Sequence, residues 1–302
     1  MGINDSTSIT WIMMSIRMTA PILFAALGGL LTSRVGIFNL ALEGMMLSGA
    51  FFGYYASLMS GSPLFGVLIA LLVGILLGLL FAFFTVTLNV NQVLTSIGIN
   101  TMALGLTSYL SRILLVDAKV IIAPTFKSIN IPVLSDLPVV GPILFKHSVL
   151  IYFALILVIF MHWFLFKTTT GLNLRAIGED ATVCKTVGIN VARYRYLATI
   201  CSGALAAVGG AYITTVAVNR FLENIVEGRG WIAFAAVIFG SNMPWGIFGA
   251  CLLFGSATAL QMLLQVQGIQ LPYRFTLMLP YVVTMVALAA ISKKNRKERL
   301  AS

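Results

Sequence analysis

The chain has 302 residues, of which 59% are hydrophobic and 9% charged, with a formal net charge of +10 and a mean hydropathy of +1.00. Soluble globular domains carry about 25% charged residues, so composition excludes an ordinary soluble enzyme, a disordered chain and a nucleic-acid-binding domain. The positive charge is concentrated in Lys167, Arg175, Lys185, Arg193 and Arg195 and in Lys293, Lys294, Arg296, Lys297 and Arg299, with long uncharged runs between, the pattern of a polytopic membrane protein with basic cytoplasmic segments.

Residues 1–10 lack a basic start, so no cleavable signal peptide is expected. A spanning helix needs about 20 apolar residues, and the first such run is 10–31, where Arg17 is expected to snorkel to the interface. The second run, 38–58, contains Glu43, the one acidic residue inside a predicted span. A buried carboxylate is costly unless protonated or paired. Asn39 lies one helical turn earlier on the same face, and Arg34 stands just outside. Two readings compete for Glu43: it lines a translocation path, or it satisfies helix ends near a break at Gly36.

The third run, 64–88, is uncharged and holds Gly74 and Gly78 as a GxxxG pair, which lets helix backbones approach closely. The fourth, 90–114, carries Gln92, Ser96 and Asn100 at one-turn spacing. Such a stripe must face protein or water rather than acyl chains. It either binds a neutral hydrogen-bonding solute or bonds to neighbouring helices. Gln261 and Gln265 form a shorter stripe of the same kind.

Residues 115–146 carry nearly cancelling charges and four of the nine prolines, and 148–166 form a fifth run with His147 and His162 at opposite ends, too far apart to share a metal. The basic loop of about 167–195 contains Asp180, a helix N-cap candidate, and Gly188, a C-terminal stop. They enclose about two turns, with Ala181, Cys184 and Val187 on one apolar edge. A docking helix lying at the membrane surface and an ordinary turn both fit. The sixth run, 196–218, shows Ser202, Ala206 and Gly210 as a small-residue ridge. Runs 244–265 and 275–291 follow, and a basic tail occupies 292–302. The stretch 230–240 is short for a span and reads either as a tilted crossing or as half of a broken one.

The fold expected is therefore all-α, a single polytopic transmembrane bundle over 1–302 with eight or nine spans. Charge bias places the 167–195 loop and the C-terminus in the cytoplasm. Counting 230–240 as a crossing puts the N-terminus and 115–146 outside. Phe24-Ala25-Ala26 with Gly36-Ile37-Phe38 recurs as Phe234-Ala235-Ala236 with Gly246-Ile247-Phe248 at one offset, either by chance or through an internal duplication. Cys184, Cys201 and Cys251 have no metal or disulfide spacing. No P-loop, HExxH or GxSxG motif occurs, so no catalytic residue, metal ligand or bound cofactor is expected in this chain.

Four segments carry a resemblance. Gly36-Ile37-Phe38-Asn39-Leu40-Ala41-Leu42-Glu43-Gly44-Met45-Met46 resembles the GxxNLxxEGxM signature of ABC importer permeases for branched-chain amino acids, simple sugars and nucleosides. Arg175-Ala176-Ile177-Gly178-Glu179 followed by Gly188-Ile189 is similar to the coupling loop of that family, and Ser202-Gly203-Ala204-Leu205-Ala206 to the start of its next span. Gly228-Arg229-Gly230-Trp231-Ile232-Ala233 is similar to a further family element, and Leu42-Glu43-Gly44 to the nucleoside branch. Ala207 and Cys184–Lys185 depart from the family pattern at positions without expected chemistry.

The resemblance implies a cell-membrane permease subunit that translocates a nucleoside, or a related simple sugar, by alternating access. It implies a second homologous permease as heterodimer partner, an ATP-binding subunit that holds ATP and Mg and performs hydrolysis, and an external substrate-binding lipoprotein. Membrane lipid surrounds the bundle, and nucleic acid is no partner. Asn39, Glu43, Gln92, Ser96 and Asn100 are candidates for the solute path. Arg175, Gly178, Glu179, Asp180 and Gly188 are candidates for coupling to the ATPase. The rival classes are an ion-coupled transporter using Glu43, a passive channel or structural membrane subunit, and a membrane-embedded enzyme, the last disfavoured by the missing catalytic clusters.

Overall fold

The structure, a computed structural model, describes residues 3–115, 123–126, 128–130 and 146–266. Apolar runs become helices wherever the chain has no turn residues to stop them, because a helix satisfies its own backbone polar groups in lipid. These helices are α1 (Ile3–Ser33), α2 (Leu42–Ser60), α3 (Pro63–Ala82), α4 (Gln92–Leu114), α5 (Val149–Lys167), α6 (Thr169–Glu179), α7 (Ala181–Thr186), α8 (Val191–Tyr212), α9 (Arg229–Phe239) and α10 (Pro244–Val266). Short π-helical segments, Phe83–Thr87 and Ile213–Ala217, prolong α3 and α8. Among the described residues the strands are two of three residues each, Ser128–Asn130 and Lys146–Ser148.

Among the described residues six helical segments are long and apolar enough to cross a bilayer: Ser8–Ser33, Pro63–Thr87, Gln92–Leu114, Val149–Lys167, Val191–Ala217 and Pro244–Gln265. They match six of the expected runs closely. The expected run 275–291, the tail 292–302 and most of 115–146 lie outside the described residues.

The chain forms two compact units, each assembled from segments distant in sequence. One comprises Met1–Thr19, Ile131–Lys146 and Leu252–Ser302, the other Ala20–Asn130 and His147–Cys251. In the first, Trp11 donates its indole N–H to the Ser256 carbonyl at 3.1 Å, and Gly255 lies against Ser15 and Thr19.

In the second unit α2, α3 and α8 pack around one core. The predicted small-residue ridges sit in it. A Cβ on Gly203 would overlap the Gly74 carbonyl oxygen, and one on Gly78 would meet the Thr199 backbone. Both ridges therefore act within the chain, where close backbone approach replaces the missing hydrophobic drive. The opposite side of α3 exposes Leu64, Leu68, Leu72, Leu76 and Leu79, the apolar face that a bilayer solvates.

Three expectations are corrected. The run read as 38–58 starts its helix at Leu42, and Arg34–Ala41 form a non-helical turn. The stretch 230–240 is an 11-residue helix, α9, preceded by the irregular stretch 218–228. At ~1.5 Å per residue α9 is roughly half the ~30 Å hydrocarbon thickness, so it is half of a broken span, not a crossing by itself. The second match of the offset repeat has no structural counterpart: Gly36 lies in a turn with φ 73°, whereas Gly246 lies inside α10.

Candidate functional site

The turn Arg34–Ala41 extends the break expected at Gly36 through the first residues of the run read as 38–58, so backbone groups there need partners from elsewhere. The polar stripe on α4 supplies them. Gln92 Oε1 accepts the Phe38 N–H at 2.8 Å. Asn100 Oδ1 accepts the Gly44 N–H at 2.8 Å, and its Nδ2 donates to the Leu40 carbonyl at 3.0 Å. Asn100 thus caps α2 from a different helix, where Ala41 offers no side-chain cap. Ser96 is fully buried, and its hydroxyl bonds back to the Gln92 carbonyl of its own helix at 2.7 Å; it does not join the others.

Asn39 is buried in the same turn. Its Oδ1 accepts the Ala41 N–H at 3.0 Å, and its Nδ2 donates to Ser202 Oγ in α8 at 3.0 Å. Ser202 was legible as a packing residue, but its role as Asn39's partner was not. Arg195, at the start of α8, donates through Nε to the Val35 carbonyl at 3.3 Å.

Glu43 faces the other break. Its Oε1 accepts the Gly228 N–H at 2.8 Å and its Oε2 the Gly230 N–H at 2.7 Å. Gly228 is the left-handed N-cap of α9, φ 83°, and has no side chain with which to cap its own helix. A carboxylate from α2 therefore fills the N-terminal cap of the half-helix, where free N–H groups and the helix dipole favour negative charge. Arg229 completes the junction: its Nη1 donates to the Ile225 and Val226 carbonyls, each at 3.0 Å. The sequence reading of Glu43 as a group that satisfies helix ends agrees with this geometry, but the ends belong to α9, not to the Gly36 turn.

Four of the five path candidates, Asn39, Glu43, Gln92 and Asn100, thus converge on one junction of broken helices. Beside it stands a residue that sequence reasoning missed. Phe38 is 58% exposed and meets Phe234 of α9 edge-on, centroids 6.5 Å apart. Its backbone is tied to Gln92, so the ring is held in place rather than buried.

The coupling candidates lie on α6 and α7. Thr168 caps α6, accepting the Gly171 N–H at 3.1 Å, and Gly171, Leu174 and Ile177 form its buried side. Asp180 Oδ1 accepts the Thr182 and Val183 N–H groups at 2.7 and 3.0 Å. Gly188, φ 85°, ends α7, while the Ile189 N–H bonds the Cys184 carbonyl at 3.0 Å. The two caps stand where the sequence put them. The apolar edge does not: Cys184 is buried, Ala181 is half-buried, and Val187 is 70% exposed, with Val183 57% exposed. Glu179 and Asp180 are exposed beside them.

Gly178 connects this surface helix to the junction. The position its Cβ would take is occupied by the Arg34 carbonyl, so α6 lies directly on the turn. Arg175 stacks over the Phe166 ring at 4.7 Å. A continuous path of contacts therefore runs from exposed α7 through α6 to the Arg34–Ala41 turn, and from there to α4, α8 and α9.

A family model described as the branched-chain amino acid transport system permease component matches residues 11–288. The guanosine ABC transporter permease protein NupQ of Bacillus subtilis is 36% identical over 284 residues, covering 89% of this chain and 88% of that protein. The nucleoside ABC transporter permease protein NupC of Lactococcus lactis is 36% identical over 280 residues, covering 90% of this chain and 88% of NupC. A second permease of that organism, the nucleoside ABC transporter permease protein NupB, is 24% identical over 80% of this chain and 69% of its own length. No solved structure matches the chain significantly. With the family model covering nearly all of it and its helices long and apolar enough to span a bilayer, this chain is a multi-pass membrane protein that belongs to the permease-component family of branched-chain amino acid transport systems.

Proposed function

We propose that the chain is one permease subunit of an ATP-binding-cassette importer that moves a nucleoside across the cell membrane. The observation that carries this reading is the 36% identity to permeases named for guanosine and nucleoside transport, over about nine tenths of the chain. Similarity to both NupC and NupB of one organism supports pairing with a second, diverged permease. ATP and Mg belong to a partner ATPase, and an external lipoprotein delivers the solute. The basic C-terminal tail and α6–α7 face the cytoplasm, as the charge bias requires.

The geometry supplies a mechanism. The ATPase grips the exposed surface formed by the end of α6 and by α7 with its caps, Glu179, Asp180, Val183 and Val187. Closure of the ATPase pair presses α7, and α6 passes the displacement to the Arg34 turn through Gly178. That turn holds the α2 start, and Glu43 holds the α9 start, so both broken helices move as one body. Alternating access of this kind uses rigid pieces hinged at helix breaks near the solute site. Solute passes beside Phe38 and Gln92, where an exposed aromatic ring and an amide suit a flat, hydrogen-bonding base.

The test is competition for uptake in a strain lacking the chromosomal copy and complemented with this chain. Unlabelled nucleosides are expected to suppress uptake of a labelled nucleoside, and free pentoses are not. Suppression by pentoses alone would replace the nucleoside with a simple sugar. Phe38→Ala is expected to raise the apparent KM for uptake while the protein level in the membrane stays constant.

A further inference from the structure

We propose that Arg34 and Arg175, held on the Phe166 ring, bind the headgroup phosphate of an anionic phospholipid where α1 and α5 end and α10 begins. The inference needs the chain to be in a membrane and does not depend on which solute it carries. Both guanidinium groups lie over one ring, Arg175 at 4.7 Å and Arg34 at 5.9 Å from its centroid. The Nε of each is buried without a hydrogen-bond partner. Arg34 Nη2 donates to the Asn242 carbonyl and lies 3.7 Å from Met243 Sδ. Neither arginine forms an ion pair among the described residues.

Two like charges sharing one aromatic face repel one another. Burial, and then Arg175, lower the Arg34 pKa below its ordinary value, and Glu179 opposes them. Glu179 is exposed and stands near Arg34 without an ion pair to it. Arg195 adds a third guanidinium on the same turn, bound to the Val35 carbonyl. The cluster therefore carries more positive charge than its protein neighbours balance. An anion with several oxygens removes the imbalance and gives the forked N–H groups an acceptor; phosphate fits that geometry bidentately.

The surroundings favour a lipid source over a soluble one. Trp163 and Trp245 are 54% and 52% exposed, and the His162 ring bridges Phe166 at 5.0 Å and Trp245 at 6.3 Å. Tryptophans at span ends mark the headgroup level of a bilayer. Lys167, exposed at the end of α5, adds to the same surface.

The experiment is retention of lipid by the purified full-length chain, with the subunits that co-purify, in nanodiscs of phosphatidylcholine alone or of equimolar phosphatidylcholine and phosphatidylglycerol. Native mass spectrometry reads the phosphatidylglycerol kept after delipidation, and thermal unfolding reads the stabilisation. Arg175→Gln is expected to lower retention roughly fivefold, the ratio equivalent to about 1 kcal/mol per basic side chain near a charged membrane surface. Phe166→Leu, which keeps both charges but removes their platform, lowers it too and serves if Arg175→Gln fails to insert. Arg193→Gln, an exposed basic position away from the ring, leaves retention unchanged. Undiminished retention in Arg175→Gln and Phe166→Leu, or an equal loss in Arg193→Gln, overturns the site. Stabilisation by inorganic phosphate in phosphatidylcholine discs to the same extent as by phosphatidylglycerol overturns the lipid assignment. So does loss of ATPase co-purification with lipid retention intact.

Discussion

Glu43 joins two helix breaks that lie far apart in the sequence, and each of its oxygens accepts a backbone N–H. Glu43→Gln keeps one acceptor but turns an amide NH2 toward the second N–H. A buried donor left unpaired costs about 1–3 kcal/mol, so this variant is expected to unfold at lower temperature and to lose uptake with it. Unchanged thermal stability would remove Glu43 from the capping role. Asn100→Leu unpairs the Leu40 carbonyl and the Gly44 N–H together. Hydrogen bonds between membrane helices are worth about 0.6 kcal/mol on average and up to ~1.7, so a loss of about 1–2 kcal/mol is expected in denaturation of the purified protein. Ser96→Ala removes only a back-bond to the i−4 carbonyl of its own helix and should change stability less than Asn100→Leu does. In the last turn of α4 Arg112 donates to Glu223 through Nε at 3.1 Å and Nη2 at 3.4 Å, and the pairing holds the Glu223 carboxyl below its ordinary range. The pair's contribution is therefore present at neutral pH and disappears as pH falls through that lowered pKa. Any difference in Tm between Glu223→Gln and the unaltered chain should be small at neutral pH and vanish in acid, because both side chains are solvent-exposed.

At the scale of elements, helices and caps differ in how far they could be read. The long spans were legible because apolar length is a local property, and α7 was legible because Asp180 and Gly188 act on backbone groups within their own turn. Asp180→Ala removes an N-cap worth about 1 kcal/mol and is expected to reduce co-purification of the ATPase while membrane insertion persists. Gly188→Val should be worse than Gly188→Ala, since φ 85° strains a β-branched residue more. Equal yields of ATPase with all three variants would detach α7 from coupling. The break at Gly36 was legible, but the extension of the turn through Ala41 was not, for a physical reason. Val35, Ile37, Phe38, Leu40 and Ala41 are as apolar as a span, and the groups that hold the chain open, Gln92, Asn100 and Ser202, come from other helices. The α4 stripe was visible as a stripe, yet its partners depend on tertiary folding. α6 was missed because Gly171 and Gly178, which look like loop residues, serve close packing against Phe164 and Arg34.

At the scale of the whole molecule, the position of the broken helices matters more than the number of spans. α9 supplies half the length of a crossing, and the irregular stretch 218–228 leads into it. The orientation expected from charge needs a return of the chain between α8 and α10, and labelling tests it. A cysteine placed at Ser128 is expected to react with an impermeant reagent from outside, and one at Asn295 after permeabilisation only. Labelling of Asn295 in intact cells would invert the topology and place α7 away from any cytoplasmic ATPase. On the proposed reading an ATPase drives nucleoside import through this chain. It is tested most directly by uptake of labelled guanosine in a strain lacking the chromosomal copy and complemented with this chain. ATP depletion with the ion gradients kept intact is predicted to abolish uptake, and a protonophore with ATP maintained is predicted to leave most of it. Uptake that follows the proton gradient and ignores ATP would contradict the account.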